Sequence, residues 1–215
     1  VYSKAELEGL AEVLKKYPDI YVVSDEIYEH INFTKGGHVS IAGIDGMYDR
    51  TVTVNGVSKA LAMTGWRIGY IGAPEWIAKG CNKLQGQVTS GANSIAQRAV
   101  ITALEAPVSK IQYMIDEFHK RRDLVLELLG EIDGFKLNVP EGAFYVFPDI
   151  SAFFGKTLKG TTINSAEDFA LYLLEHANVA TVTGEAFGNP NCIRISYAAS
   201  EKELREAIAR IKAVV

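Results

Sequence analysis

The stretch Gly56-Val57-Ser58-Lys59-Ala60-Leu61-Ala62-Met63-Thr64-Gly65-Trp66-Arg67-Ile68-Gly69 joins two runs of strand-forming residues. Thr51-Val52-Thr53-Val54 leads into it, and Arg67-Ile68-Gly69-Tyr70-Ile71-Gly72 leaves it. The link, about a dozen residues with no obvious helix, predicts an antiparallel pair, because a parallel crossover generally carries a helix. Lys59 then lies at the tip of a short connection, with Ser58 just before it and Arg67 eight residues on.

Upstream, Ile20-Tyr21-Val22-Val23 is a continuous apolar run, the texture of a strand buried on both faces of an α/β sheet. It stops abruptly at Ser24-Asp25-Glu26, so polar chemistry begins at the strand's C-terminal end, where open α/β sheets bind ligands. Ser3 and Glu6 form a capping-box pattern for a preceding helix. Leu7, Leu10, Ala11 and Leu14 follow at the spacing of one apolar face, and Pro18-Asp19 ends that helix. A chain that opens at a helix cap, with no initiator methionine, is expected to belong to something longer.

Downstream, Pro74 opens a helix through Trp76 and Ile77, and a second helical stretch runs from Ile95 to Leu104, punctuated by Pro107. A long helix is predicted from about Ser109 to Leu129, with Ile111, Ile115, Phe118, Val125 and Leu128 on one side. After Gly130 short strands and helices alternate. Phe135-Lys136-Leu137 and Ala143-Phe144-Tyr145-Val146-Phe147 are strand candidates around the Pro140-Glu141-Gly142 turn. Ser165 and Asp168 are placed like a capping box for a helix to Ala177. Val179 to Val182 and Ile193 to Tyr197 read as strands, and Ser200-Glu201-Lys202-Glu203 caps a last helix carrying Leu204, Ile208 and Ile211. A domain boundary is expected within the long helix, near residues 108 to 125.

At 215 residues, 48% hydrophobic and 22% charged, the composition is that of an ordinary globular protein. A net charge of -4 gives no support for a nucleic-acid or anionic-membrane partner. No apolar run approaches the roughly 20 residues of a membrane-spanning helix, and the first residues do not read as a secretory signal. Cys81 and Cys192 lack metal-like spacing and read as reduced thiols of a cytoplasmic protein. The histidines at 30, 38, 119 and 176 share no metal-site spacing. No phosphate-loop or dinucleotide fingerprint is present.

The chemistry therefore rests on a few side chains. A lysine amine can form a Schiff base when burial or a nearby cation such as Arg67 favours its neutral form. A hydroxyl and a guanidinium beside it can hold a phosphate, which arginine binds in a fork that lysine cannot reproduce. Lys59, Ser58 and Arg67 together point to pyridoxal phosphate. Asp25, closing a buried strand, needs a cationic partner, and a protonated pyridine nitrogen is one. Tyr28, three residues on, can donate to the phenolic oxygen of the same ring. Arg194, inside the apolar run Cys192-Ile193-Arg194-Ile195-Ser196-Tyr197, can fork a substrate carboxylate. Each residue also has an ordinary alternative: a surface lysine in a turn, a capping Asp25 with a packing Tyr28, and structural ion pairs for Arg67 and Arg194.

Four segments, taken in order, resemble the class I and II aminotransferases, fold-type I pyridoxal-phosphate enzymes that include aspartate aminotransferase. They are Ser24-Asp25-Glu26-Ile27-Tyr28, the lysine segment, Glu141-Gly142-Ala143-Phe144-Tyr145 and Arg194-Ile195-Ser196-Tyr197. The resemblance implies that Lys59 is the Schiff-base lysine and proton shuttle. Asp25 would hold the pyridine nitrogen, Tyr28 the phenolic oxygen, Ser58 and Arg67 the phosphate, and Arg194 the substrate's α-carboxylate. It also implies an α/β fold in two parts. Residues 1–115 would be the C-terminal part of the cofactor-binding large domain, with three recognisable sheet strands, and 116–215 an α+β small domain. Family members are longer at the N-terminal side. The implied parent is a homodimer that moves an amino group between an amino acid and a 2-oxo acid, and the present chain alone is expected to be inactive. The same cofactor cradle also serves carbon–sulfur lyases, and it occurs in the effector-sensing part of aminotransferase-like transcription regulators. Part of the side-chain pocket would come from the absent half and from a neighbouring subunit, so the amino acid used is not legible.

Overall fold

Helix α1, Lys4–Leu14, starts where the sequence caps it: the Ser3 hydroxyl accepts from the Glu6 amide at 3.3 Å, and the Glu6 carboxylate accepts from the Ser3 amide at 2.7 Å. Its Leu7 and Ala11 are buried against Ile41 and Met47. Leu10, expected on the same face, is exposed. The computed structural model describes residues 1–215, and the chain divides into two compact units, Val1–Tyr113 and Met114–Val215.

In the first unit, β1 (Val22–Asp25) pairs in parallel with β2 (Thr51–Gly56), and β3 (Gly69–Gly72) pairs antiparallel to β2, as the short connection requires. The sheet order is β1-β2-β3. Strand β1 begins later than its apolar run. The Ile20 amide bonds back to the Tyr17 carbonyl, and Arg50 donates to the carbonyls of Leu14, Tyr17 and Ile20. That guanidinium collects the backbone acceptors left at the end of α1, so Ile20 and Tyr21 belong to the turn. The expectation of burial on both faces fails here: Val23 is 71% exposed. In this chain β1 is an edge strand, and a strand's faces are buried only where a second layer covers them. Helices α2 (Glu75–Val88) and α3 (Ser94–Glu105) follow. The former buries no residue, whereas Ala96 and Val100 of α3 pack with Val57 and Ile68 beneath the lysine loop. Asn93 caps α3 by accepting from the Ala96 amide at 3.0 Å.

The division between the units falls at the start of α4, Gln112–Gly130. The second unit takes Phe118, Val125 and Leu129 of this helix into its core, while Ile111 ends a separate short 3-10 turn before it. Strands β4 (Tyr145–Val146), β7 (Val182–Thr183) and β8 (Ile193–Ser196) form an antiparallel sheet ordered β4-β8-β7. Phe135–Leu137 makes only a single bridge, Lys136 with Asp149. The sequence reading missed the hairpin of β5 (Thr157–Leu158) and β6 (Thr161–Thr162), which turns on Lys159 and Gly160, both at positive φ. Helix α5 (Ala166–Ala177) has half of the expected box: Ser165 accepts from the Asp168 amide, but the shorter Asp168 side chain takes the Asn164 amide instead. Asn178, left-handed, ends α5, so β7 starts only at Val182. Helix α6 (Glu201–Lys212) carries the complete Ser200–Glu203 box. Phe169, fully buried, packs between Phe135 and Phe153, and Leu204, Ile208 and Ile211 complete the core.

Candidate active site

The close pairing of Gly56 with Gly69 shapes the base of the lysine loop. A Cβ at Gly56 would lie 2.9 Å from the Ile68 carbonyl oxygen and 3.1 Å from the Gly69 Cα, so this approach requires glycine. Beyond it the Val57 amide bonds to the Ile68 carbonyl and the Met63 amide to the Val57 carbonyl, which folds Ser58 to Ala62 back over the strand ends. Ala62 and Arg67 hold left-handed backbone at φ 51° and 56°, a conformation non-glycine residues adopt at a cost.

Asp25 ends β1. Its Oδ1 accepts from the Ile27 amide at 3.2 Å, a local turn bond of the kind its capping alternative foresees. The carboxylate is otherwise exposed and takes part in no ion pair. Tyr28, half-buried, follows on a turn closed by the Ile31 amide and the Tyr28 carbonyl. Lys59 Nζ lies 5.7 Å from the centroid of the Tyr28 ring, so the loop tip and the end of β1 meet. Ser58 and Lys59 are both half-buried. Arg67 is exposed, its Nη1 donating to the Thr64 carbonyl at 2.8 Å, and none of the ion pairs involves it. The structural ion-pair alternative for Arg67 therefore finds no partner.

Two connections behind these residues escaped the sequence reading. Glu26, the one buried carboxylate, accepts from the hydroxyls of Ser24 and Ser40 at 2.9 and 2.7 Å and lies 2.8 Å from His38 Nε2. This pins the Asp25 turn to residues 38–40. Glu29 accepts from the Asn55 amide at 2.7 Å, and Asn55 in turn accepts from the Gly56 N–H, which ties the same turn to the end of β2. Only the neighbouring Ser-Asp-Glu cluster hinted at such a hub. A cleft of about 790 Å³ is lined by Ala62, Trp66, Arg67 and the start of α3 at Asn93, Ile95 and Ala96; Lys59, Asp25 and Tyr28 do not line it.

Asp25, Tyr28, Ser58, Lys59 and Arg67 thus belong to the first unit, while Arg194, on β8, belongs to the second. Arg194 is half-buried and also makes no ion pair; its guanidinium carbon lies 4.4 Å from the Tyr145 ring centroid and 4.3 Å from that of Phe187. The donor set of the first unit fits pyridoxal phosphate. It comprises a carboxylate with an open oxygen, a phenol beside an amine, and a hydroxyl and a guanidinium in one loop.

These features define an α/β protein with a lysine presented at the C-terminal ends of sheet strands. The chain matches the family described as Aminotransferase class I and II over residues 1–211, and it belongs to that family. It is 49% identical to a bifunctional aspartate aminotransferase and glutamate/aspartate-prephenate aminotransferase of Petunia hybrida, over 99% of this chain and 45% of that protein. An aspartate/prephenate aminotransferase of Cereibacter sphaeroides is 47% identical over 99% of this chain and 54% of its own length. Among solved structures, the aspartate aminotransferase of Rhizobium meliloti superposes with a TM-score of 0.95 at 46% identity, covering 100% of this chain and 54% of that one. The aromatic aminotransferase of Pyrococcus horikoshii gives 0.90 at 38% identity, over 99% and 55% of the two chains. The chain spans about half the length of the curated relatives it matches.

Proposed function

We propose that the protein to which this chain belongs is a pyridoxal-phosphate-dependent aminotransferase, with aspartate among its amino donors. The observation that carries this is the meeting of Lys59 with Tyr28 beside Asp25, at the C-terminal ends of β1 and β2. Membership of the family supports it, and the names of the relatives favour transamination over a carbon–sulfur lyase or a regulator's sensing domain. Residues 1–115 act as the C-terminal part of the cofactor-binding large domain and 116–215 as the small domain. A homodimer in the cytoplasm accords with the exposed apolar residues Trp76, Leu84, Val88 and Ile95 of the first unit and with two unpaired cysteines. No helix is long and apolar enough to cross a membrane.

Bound pyridoxal phosphate supplies an electron sink for the charge that develops on the substrate's α-carbon. Asp25, with one carboxylate oxygen open, accepts from the protonated ring nitrogen and keeps that proton in place. Tyr28 donates its hydroxyl to the phenolic oxygen. Ser58 and Arg67 donate to the phosphate, Arg67 as a fork. Lys59 would hold the group through its amine and, as a free amine, would accept the proton of the substrate α-carbon at Nζ. Arg194 would bind the substrate α-carboxylate through its fork of N–H donors.

The test uses the full-length protein loaded with pyridoxal phosphate. Aspartate and 2-oxoglutarate are expected to give oxaloacetate and glutamate. Lys59→Ala is expected to remove the visible absorbance that a lysine-held cofactor shows and to lower turnover by about 10³-fold or more. Retention of that absorbance in Lys59→Ala, or release of ammonia in place of glutamate, would overturn the proposal. The 215-residue polypeptide by itself is expected to show no turnover.

A further inference from the structure

Arg194 carries a long side chain with about 2 kcal/mol of rotamer freedom, and no carboxylate holds it in place. Sheet register supplies another restraint. β8 is the central strand, with β4 on one side and β7 on the other. Arg194 lies opposite Val182 of β7, while Ser196, on the same face two residues on, lies opposite Tyr145 of β4. Tyr145 is therefore the diagonal neighbour of Arg194, within reach of an aromatic ring. Phe187 arrives from the opposite side, in the turn that follows β7. The two rings reach the guanidinium from β4 and from the turn after β7, at 4.4 and 4.3 Å.

The turn that delivers Phe187 is narrowly determined. The Gly184 amide donates to the Cys192 carbonyl at 2.7 Å, and the amides of Phe187 and Asn189 both return to the Gly184 carbonyl. A Cβ at Gly184 would stand 2.3 Å from the Asn189 carbonyl oxygen and 2.5 Å from that of Cys192, so no other residue fits there. Phe147 supports the Phe187 ring edge-on, with centroids 6.2 Å apart. Phe187 is nevertheless 47% exposed, an unusual setting for a phenylalanine used only to fill a core.

We infer that Tyr145 and Phe187 are positioning residues that hold the Arg194 guanidinium by its faces and leave its N–H edge to a planar carboxylate. Rings satisfy the apolar faces of a guanidinium but take none of its in-plane donors, so the fork stays available and pre-aimed. An acidic partner would fix the side chain equally well but would compete with the ligand. This inference rests on Arg194 binding the substrate carboxylate, as proposed above.

The test compares Phe187→Leu, Phe187→Trp and Arg194→Lys in the full-length holoenzyme. Phe187→Leu is expected to raise KM for the amino acid about 10-fold, the scale of one cation–π contact. It should change kcat by less than about 2-fold and leave the cofactor absorbance as it is. Binding of succinate, an unreactive dicarboxylate, measured by calorimetry, should weaken by the same factor, and Phe187→Trp should restore both. If Arg194→Lys raises KM while Phe187→Leu leaves KM and succinate affinity untouched, the positioning role is overturned and the function of Arg194 stands. If Arg194→Lys leaves KM unchanged, the carboxylate assignment fails and the inference fails with it.

Discussion

The two units carry opposite kinds of incompleteness. The first holds most of the candidate site residues on little core: Leu7, Ala11, Ile41 and Met47 form one small cluster, and Val57, Ile68, Ala96 and Val100 another. Around them Val23, Trp76, Leu84, Val88 and Ile95 stay exposed. The second contributes one candidate binding residue but has a full interior, with Phe169, Tyr172, Leu173, Ile193 and Tyr197 all but completely buried. Apolar surface drives folding in proportion to the area removed from water. The second unit therefore has the means to stabilise itself, and the first depends on more surface being covered.

Mutations sharpen this contrast, beginning with Lys59→Ala, whose expected loss of turnover should come with an almost unchanged melting temperature of the cofactor-free protein. In the second unit the largest effect should be on stability. Phe169→Ala is expected to cost about 3–5 kcal/mol, measured as a lower urea midpoint, because its ring is replaced by a cavity between Phe135 and Phe153. Val23→Ala on the exposed face of β1 should stay within about 0.5 kcal/mol in the same assay. A cost of several kcal/mol at Val23 would show that this face of β1 is covered.

Alkaline pH offers a second separation. Burial pushes the phenols of Tyr172 and Tyr197 up from their ordinary range, and Tyr197 donates to the Ala143 carbonyl at 3.1 Å. A raised pKa means the folded state retains the proton better than the unfolded one. Their contribution is therefore complete below the unfolded value of about 10 and declines as pH climbs above it. Denaturation followed from pH 8 to 11 should show the second unit weakening above about pH 10, and Tyr197→Phe should flatten that fall. Ser200→Ala, which opens the box of α6, should lower stability by about 1 kcal/mol in the same urea assay, between the effects expected at Phe169 and at Val23.

Much of this architecture is legible in local sequence. Ser3 with Glu6 and Ser200 with Glu203 declare helix starts because the groups that bond are only three residues apart. The antiparallel β2–β3 pair follows from the length of its connection, and Gly56 and Gly69 mark where the strands draw close. The candidate residues of the lysine loop were legible for the same reason, since they occupy one continuous segment. Arg50 binding the carbonyls after α1 was not, because its partners lie 30 to 36 residues away. Neither was the Glu26 hub, whose His38 and Ser40 partners follow 12 and 14 residues later. The β5–β6 hairpin was missed because Lys159-Gly160 is not among the strong two-residue turn signals.

By itself, then, the sequence determined the helix caps, the strand pair around Lys59, and the family resemblance carried by a few short motifs. These are matters of spacing and residue chemistry, readable along one dimension. Tertiary structure alone decided that Lys59 stands over Tyr28, that β1 is an exposed edge in this chain, and that rings, not a carboxylate, lie against Arg194. Each of those depends on what distant segments place beside a residue. Burial, pairing and orientation are properties of neighbours in space, and spacing along the chain does not name them.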